Sequence, residues 1–157
     1  MEKHFDTILK WLAAAAGAVL GFFGEWSAVL TILVICNAVD YISGYLVAWA
    51  GKSPKTESGG VSSKVGFVGL AKKAFIWLVV LLATLLDKAV GNGTAIFQAA
   101  AALFYIANEG VSILENAALM GIPLPGFIRQ ALDAIAAQSE KTVQGAIPSH
   151  NDPPDGE

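Results

Sequence analysis

Charge is what this sequence has least of. Only 15 % of its 157 residues are charged, against about 25 % in an ordinary soluble domain. The stretch from Trp11 to Gly51 carries Glu25 and Asp40 alone. A soluble chain of this length needs many more charges to cover its surface. Cysteine is almost missing too. Cys36 is single, which excludes an internal disulfide and a zinc cluster, and its apolar surroundings make it a small hydrophobe. The net charge is −3 and no basic stripe with interleaved aromatics occurs, so nucleic acid is not an expected partner. There is no His-Glu metal pair, no GxSxG and no phosphate-binding loop. Asp40 and Glu109 are a conceivable acid–base pair, but nothing else offers a substrate pocket. No enzyme, metal or cofactor is expected, and His150 has no role in its polar tail.

What is present is apolar: 55 % of residues are hydrophobic and mean hydropathy is +0.58. The expected fold is an all-α membrane protein. It is a bundle of four transmembrane helices plus a short C-terminal amphipathic helix, or three spans if the first segment lies at the interface. A span takes ~20 helical residues, which places the four at about 8–23, 28–50, 67–86 and 94–119. Residues 126–138 form the amphipathic helix and complete a domain over 1–138. Residues 139–157 read as a disordered polar tail rich in Pro and Asp. Lys3 and Lys10 before WLAAAAGAVLGFF imitate a signal peptide. Trp26 stands where a small-residue cleavage site should be, so retention as a membrane segment is expected. Gly17 and Gly21 form a GxxxG that lets a helix approach closely; an ordinary Ala/Gly-rich span is the plainer alternative. Gly24 to Ser27 and the GNG at 91–93 read as turns. On the amphipathic helix, Phe127, Ile128, Ala131, Leu132 and Ile135 share one face, to lie on the membrane surface or against the bundle or another subunit. With both termini inside, nine of the ten Lys and Arg residues fall on the cytoplasmic side and only Lys88 outside, a strong positive-inside bias.

The polar residues of the spans are not scattered. At ~100° per residue, Asn37, Asp40, Tyr41 and Gly44 share a face of the second span. Gln98, Tyr105, Asn108, Glu109, Ser112, Glu115 and Asn116 form one stripe on the fourth. Asp40 lies roughly 18–20 Å, and Glu109 roughly 22 Å, below the outer ends of their helices. Lys72 and Lys73, on the third span, reach a similar level from the inside. A charge at a helix centre costs about 2.5–3.5 kcal/mol, so these groups are expected to avoid lipid. They either hold one bundle together by hydrogen bonds or line water between copies.

Three blocks also carry a resemblance: DYISG at 40–44, SSKVGFVGLAKK at 62–73 and NEGVSILENAALMGIPLP at 108–125. In order and spacing they resemble the phage lysis and toxin-secretion holins, over roughly residues 28–137. The resemblance implies a multi-pass protein of the bacterial inner membrane that forms homo-oligomers and opens lesions. A cytoplasmic endolysin or a toxin would leave through them, with timed host lysis, and no cofactor would be needed. The acidic, proline-rich tail departs from the basic end common in holins. Two other readings use the same polar faces: a small non-lytic channel or transporter, and a membrane-anchored assembly subunit.

Overall fold

In a computed structural model, residues 2–23, 26–91 and 93–146 are described. They form five helices: α1 (Glu2–Phe22), α2 (Ala28–Trp49), α3 (Ser63–Val90), α4 (Ile96–Leu119) and α5 (Gly126–Ala146). Among the described residues, three helices are long and apolar enough to cross a membrane: α2, α3 and α4.

The helix ends follow from local chemistry. Ser27 caps α2 by accepting the Leu30 N–H at 3.3 Å, and Ser62 caps α3 through the Val65 N–H. Gly51 ends α2 at φ 72°. There the Gly51 and Lys52 amides return to the carbonyls of Ala48 and Val47, satisfying the last turn in a Schellman motif. Gly121 ends α4 at φ 81° with the same pair of bonds, to Ala118 and Ala117. Pro123 and Pro125 then prevent continuation.

Three helices are longer than the sequence pattern implied. α1 begins at Glu2 and not near residue 8. α3 covers 63–90 where the apolar run covers 67–86, because Ser62 and Gly91 set its ends and not its hydropathy. α5 passes residue 138 and runs to Ala146, so the first eight residues of the expected tail are helical. Glu140, Lys141 and Gln144 are good helix formers, and the next proline is Pro148. Met1, Gly24, Glu25, Asn92 and residues 147–157 lie outside the described residues, and with them parts of the two expected turns and the rest of the expected tail.

α4 is the central helix, in contact with α2, α3 and α5, whereas among the described residues α1 touches α3 alone. The core gathers Leu30, Leu33, Ile76, Val80, Ala102 and Ile106. Elsewhere apolar side chains point outward: Ile35, Ile42, Leu46 and Trp49 along α2, and Phe67, Phe75, Leu78 and Leu82 along α3. These are the stripes lipid would cover. At the end where α2 and α4 begin, Trp26 stacks on Trp77 with centroids 6.1 Å apart, and Phe23 meets Trp77 edge-on.

Candidate functional site

The buried seam of α2 runs through Leu30, Leu33, Asn37 and Val47, with Asp40 and Gly44 completing the alternating three- and four-residue spacing. That spacing keeps one face toward α4. On α3 the corresponding line passes Gly66, Gly69, Lys73 and Ile76; on α4 it passes Ala102, Glu109 and Asn116. Each helix therefore brings one charged residue to the same level.

Lys73 Nζ donates to Asp40 Oδ2 at 2.6 Å and also to Glu109 Oε2. The three side chains are only 14 %, 14 % and 4 % exposed. Asn116 Nδ2 extends the network, donating to Ser43 Oγ at 2.9 Å and Asp40 Oδ1 at 3.3 Å. The Ser43 hydroxyl donates in turn to the Asp40 carbonyl. A cavity of about 790 Å³ opens beside this network between α2, α3, α4 and the loop that joins α2 to α3, and Tyr41, Lys72, Asn108 and Ser112 help to line it. Tyr41 reaches α3 over its glycines: a Cβ on Gly66 or Gly69 would lie 3.6 Å from the tyrosine ring system. Two carboxylates and one ammonium sum to −1, and Lys55, Lys64 and Lys72 on the cavity wall add positive charge around them.

Not all residues of the expected polar face join this site. Gln98 is eleven residues before Glu109, roughly 16 Å along the axis, and belongs to a second cluster. Its Nε2 donates to the Phe23 carbonyl at 2.9 Å and to Thr84 Oγ1 at 2.8 Å. The Asp87 carboxylate accepts the backbone N–H groups of Phe97 and Gln98 at 2.9 and 2.8 Å. It thus caps α4 from another helix, where Ala95 offers no side chain. Glu115 is exposed. Tyr105 packs on the core and also lines the cavity. Gly44 faces Asn116, whose Nδ2 is 3.6 Å from the position of an added Cβ. Asn37 is buried, and neither of its amide atoms has a hydrogen-bond partner among the described residues. Gly17 and Gly21 have nothing within 4 Å of an added Cβ, so among the described residues no other helix packs on their GxxxG. Sequence reasoning missed Asp87, Thr84 and Ser43. Their spacing was the signal: Thr84 and Asp87 continue the buried face of Val80 and Ala83, and Ser43 follows Asp40 by three.

Among the described residues the fold is all helical, and three apolar helices around a buried ionic seam mark a small membrane protein. Its relatives agree. The chain matches the bacteriophage holin family over residues 17–137. A probable holin of Bacillus phage phi105 is 33 % identical over 123 residues, 78 % of this chain and 84 % of that protein. An uncharacterized protein of Halalkalibacterium halodurans is 36 % identical over 141 residues, covering 87 % of this chain and 99 % of its own length. A 14.9 kDa protein of Clostridium perfringens, described by its place in the nagH 3′ region, is 37 % identical over 131 residues, 83 % of this chain and 94 % of that one. No solved structure matches the chain. The protein belongs to the bacteriophage holin family, a family of membrane pore-forming, non-enzymatic proteins.

Proposed function

We propose that this protein is a phage-type holin. It accumulates in the bacterial inner membrane with α1 as a fourth span and a cytoplasmic N-terminus. It then oligomerises and opens lesions through which a cytoplasmic endolysin or a toxin leaves, and the host lyses. The observation that supports this most is the Asp40–Lys73–Glu109 network, which closes inside a single chain beside a cavity. In dispersed copies the charges neutralise one another away from lipid. In the assembly the same face opens onto water, and Gly17 and Gly21 provide close helix contacts between copies. Two such states need differ by only a few kcal/mol for accumulation to tip the balance.

The test is induction of the protein in a bacterium with and without a cytoplasmic cell-wall hydrolase. Abrupt growth arrest alone, and lysis only with the hydrolase, is the expected result. The cavity beside Lys72 and Lys73 favours one competing reading, a non-lytic channel. Continued growth with the hydrolase retained inside would replace the holin reading with that one.

A further inference from the structure

The last helix is amphipathic, yet it does not lie across the end of the bundle. The turn through Gly121 to Pro125 folds it back along α4. Gly110 leaves room for Leu132, whose Cδ2 would be 2.6 Å from an added Cβ. Seven residues further on, Ser139 Oγ donates to the Ala100 carbonyl at 2.7 Å and is buried. As numbers rise on α5 they fall on α4, so the two run antiparallel. Gly110 and Ala100 lie roughly 21 and 6 Å from the first residue of α4. At 21 residues, α5 is roughly 31 Å long, about the thickness of a hydrocarbon core.

Its inner line, Ile128, Leu132, Ile135, Ser139 and Thr142, has the alternating four- and three-residue spacing of a packed seam. Its outer face carries Arg129, Asp133, Glu140, Lys141 and Gln144, all exposed. On α3, Phe75, Leu78 and Leu82 are exposed between the levels of the Lys73–Glu109 contact and the Thr84–Gln98 contact. On the exposed face of α5, Asp133 and Glu140 bracket the same depth and Gln138 lies between them. One flank of the protein thus suits lipid, and another flank at that depth does not.

Resting on the holin reading, we propose that α5 stays docked on α4 in the assembled state. Its charged face, from Arg129 to Gln144, lines the water-filled lumen enclosed by several copies. The lipid-facing flank is then the one formed by α2 and α3. α5 adds a second hydrophilic face to the one that the opened Asp40–Lys73–Glu109 seam presents.

The test uses the full chain carrying Cys36→Ser, so that introduced cysteines are single or paired by design. Ala100→Cys with Ser139→Cys, oxidised before triggering, locks α5 to α4. Hydrolase release within about twofold of the reduced protein is expected. Loss of release on locking, restored by reductant, would mean that α5 must leave α4, and would overturn the proposal. Single cysteines are then probed after triggering with a charged, membrane-impermeant maleimide. Ala137→Cys and Gln144→Cys are expected to react, and Ile135→Cys and Leu78→Cys to remain at least tenfold slower. Silence at Ala137→Cys and Gln144→Cys in a protein that releases hydrolase overturns the inference alone. Failure of the unsubstituted protein to release hydrolase overturns the holin reading and this inference with it.

Discussion

Lys73 serves two carboxylates, so its loss leaves more buried charge unpaired than the loss of either acid. Removing one partner of a buried ion pair costs about 3–5 kcal/mol. Lys73→Met is therefore expected to reduce the protein accumulated in the membrane, measured by quantitative immunoblot of membrane fractions. Adding Asp40→Asn and Glu109→Gln to Lys73→Met should recover most of the loss; no recovery would mean that Lys73 acts outside this network. Glu109→Gln alone keeps Lys73 paired with Asp40. It is expected to insert normally and to change the time of lysis, and unchanged timing at equal protein level would remove this carboxylate from triggering. Asn37 lies in the same seam with an amide that finds no partner among the described residues. Such a group costs about 1–3 kcal/mol. Asn37→Leu should stabilise the closed single-chain bundle and delay lysis. Earlier lysis would show that the closed bundle is not the state that waits.

Helices α4 and α5 meet along a face where Gly110 is the narrowest point. Gly110→Ala gains about 1 kcal/mol of helix propensity while forcing Leu132 to turn aside. A larger side chain has no such accommodation. Gly110→Leu is expected to separate the pair, read as a fall in disulfide formation between Ala100→Cys and Ser139→Cys. Adding Leu132→Ala should restore much of the crosslink. An unaffected crosslink in Gly110→Leu would show that the helices meet by another face. The sequence revealed α5 as a helix with an apolar side, through Ile128, Leu132 and Ile135, but left its dock open between membrane surface, bundle and neighbour. Periodicity reports an angle around one axis. It does not report which groove receives that face, and the groove here depends on a missing side chain on another helix. The N-terminus of α4 was illegible for a similar reason: Asp87, eight residues before the cap position, caps it from α3.

At the scale of the whole protein, two numbers made the centre of the site readable: the rise of a helix and the thickness of a bilayer. They put Asp40, Lys73 and Glu109 into one layer, and the folded chain joins them. The same rise sets Gln98 roughly 16 Å from Glu109; what the stripe left unseen is that Thr84 and the Phe23 carbonyl receive it. In the mechanism we propose, opening the seam between copies displaces charge that sits among the apolar helices. One elementary charge moved through the full field is worth ~2.3 kcal/mol per 100 mV, more than a tenfold change in a two-state ratio. A partial displacement of Glu109 against Lys73 is worth a fraction of that, still enough to move a balance poised within a few kcal/mol. Collapse of the membrane potential should therefore bring lysis forward. Turbidity is followed after adding an uncoupler to cells that hold the protein and a cytoplasmic hydrolase. Glu109→Gln carries one charge fewer through the transition, so its advance should be smaller at matched protein level. Equal advances in the two proteins would place the voltage-sensitive charge elsewhere than Glu109.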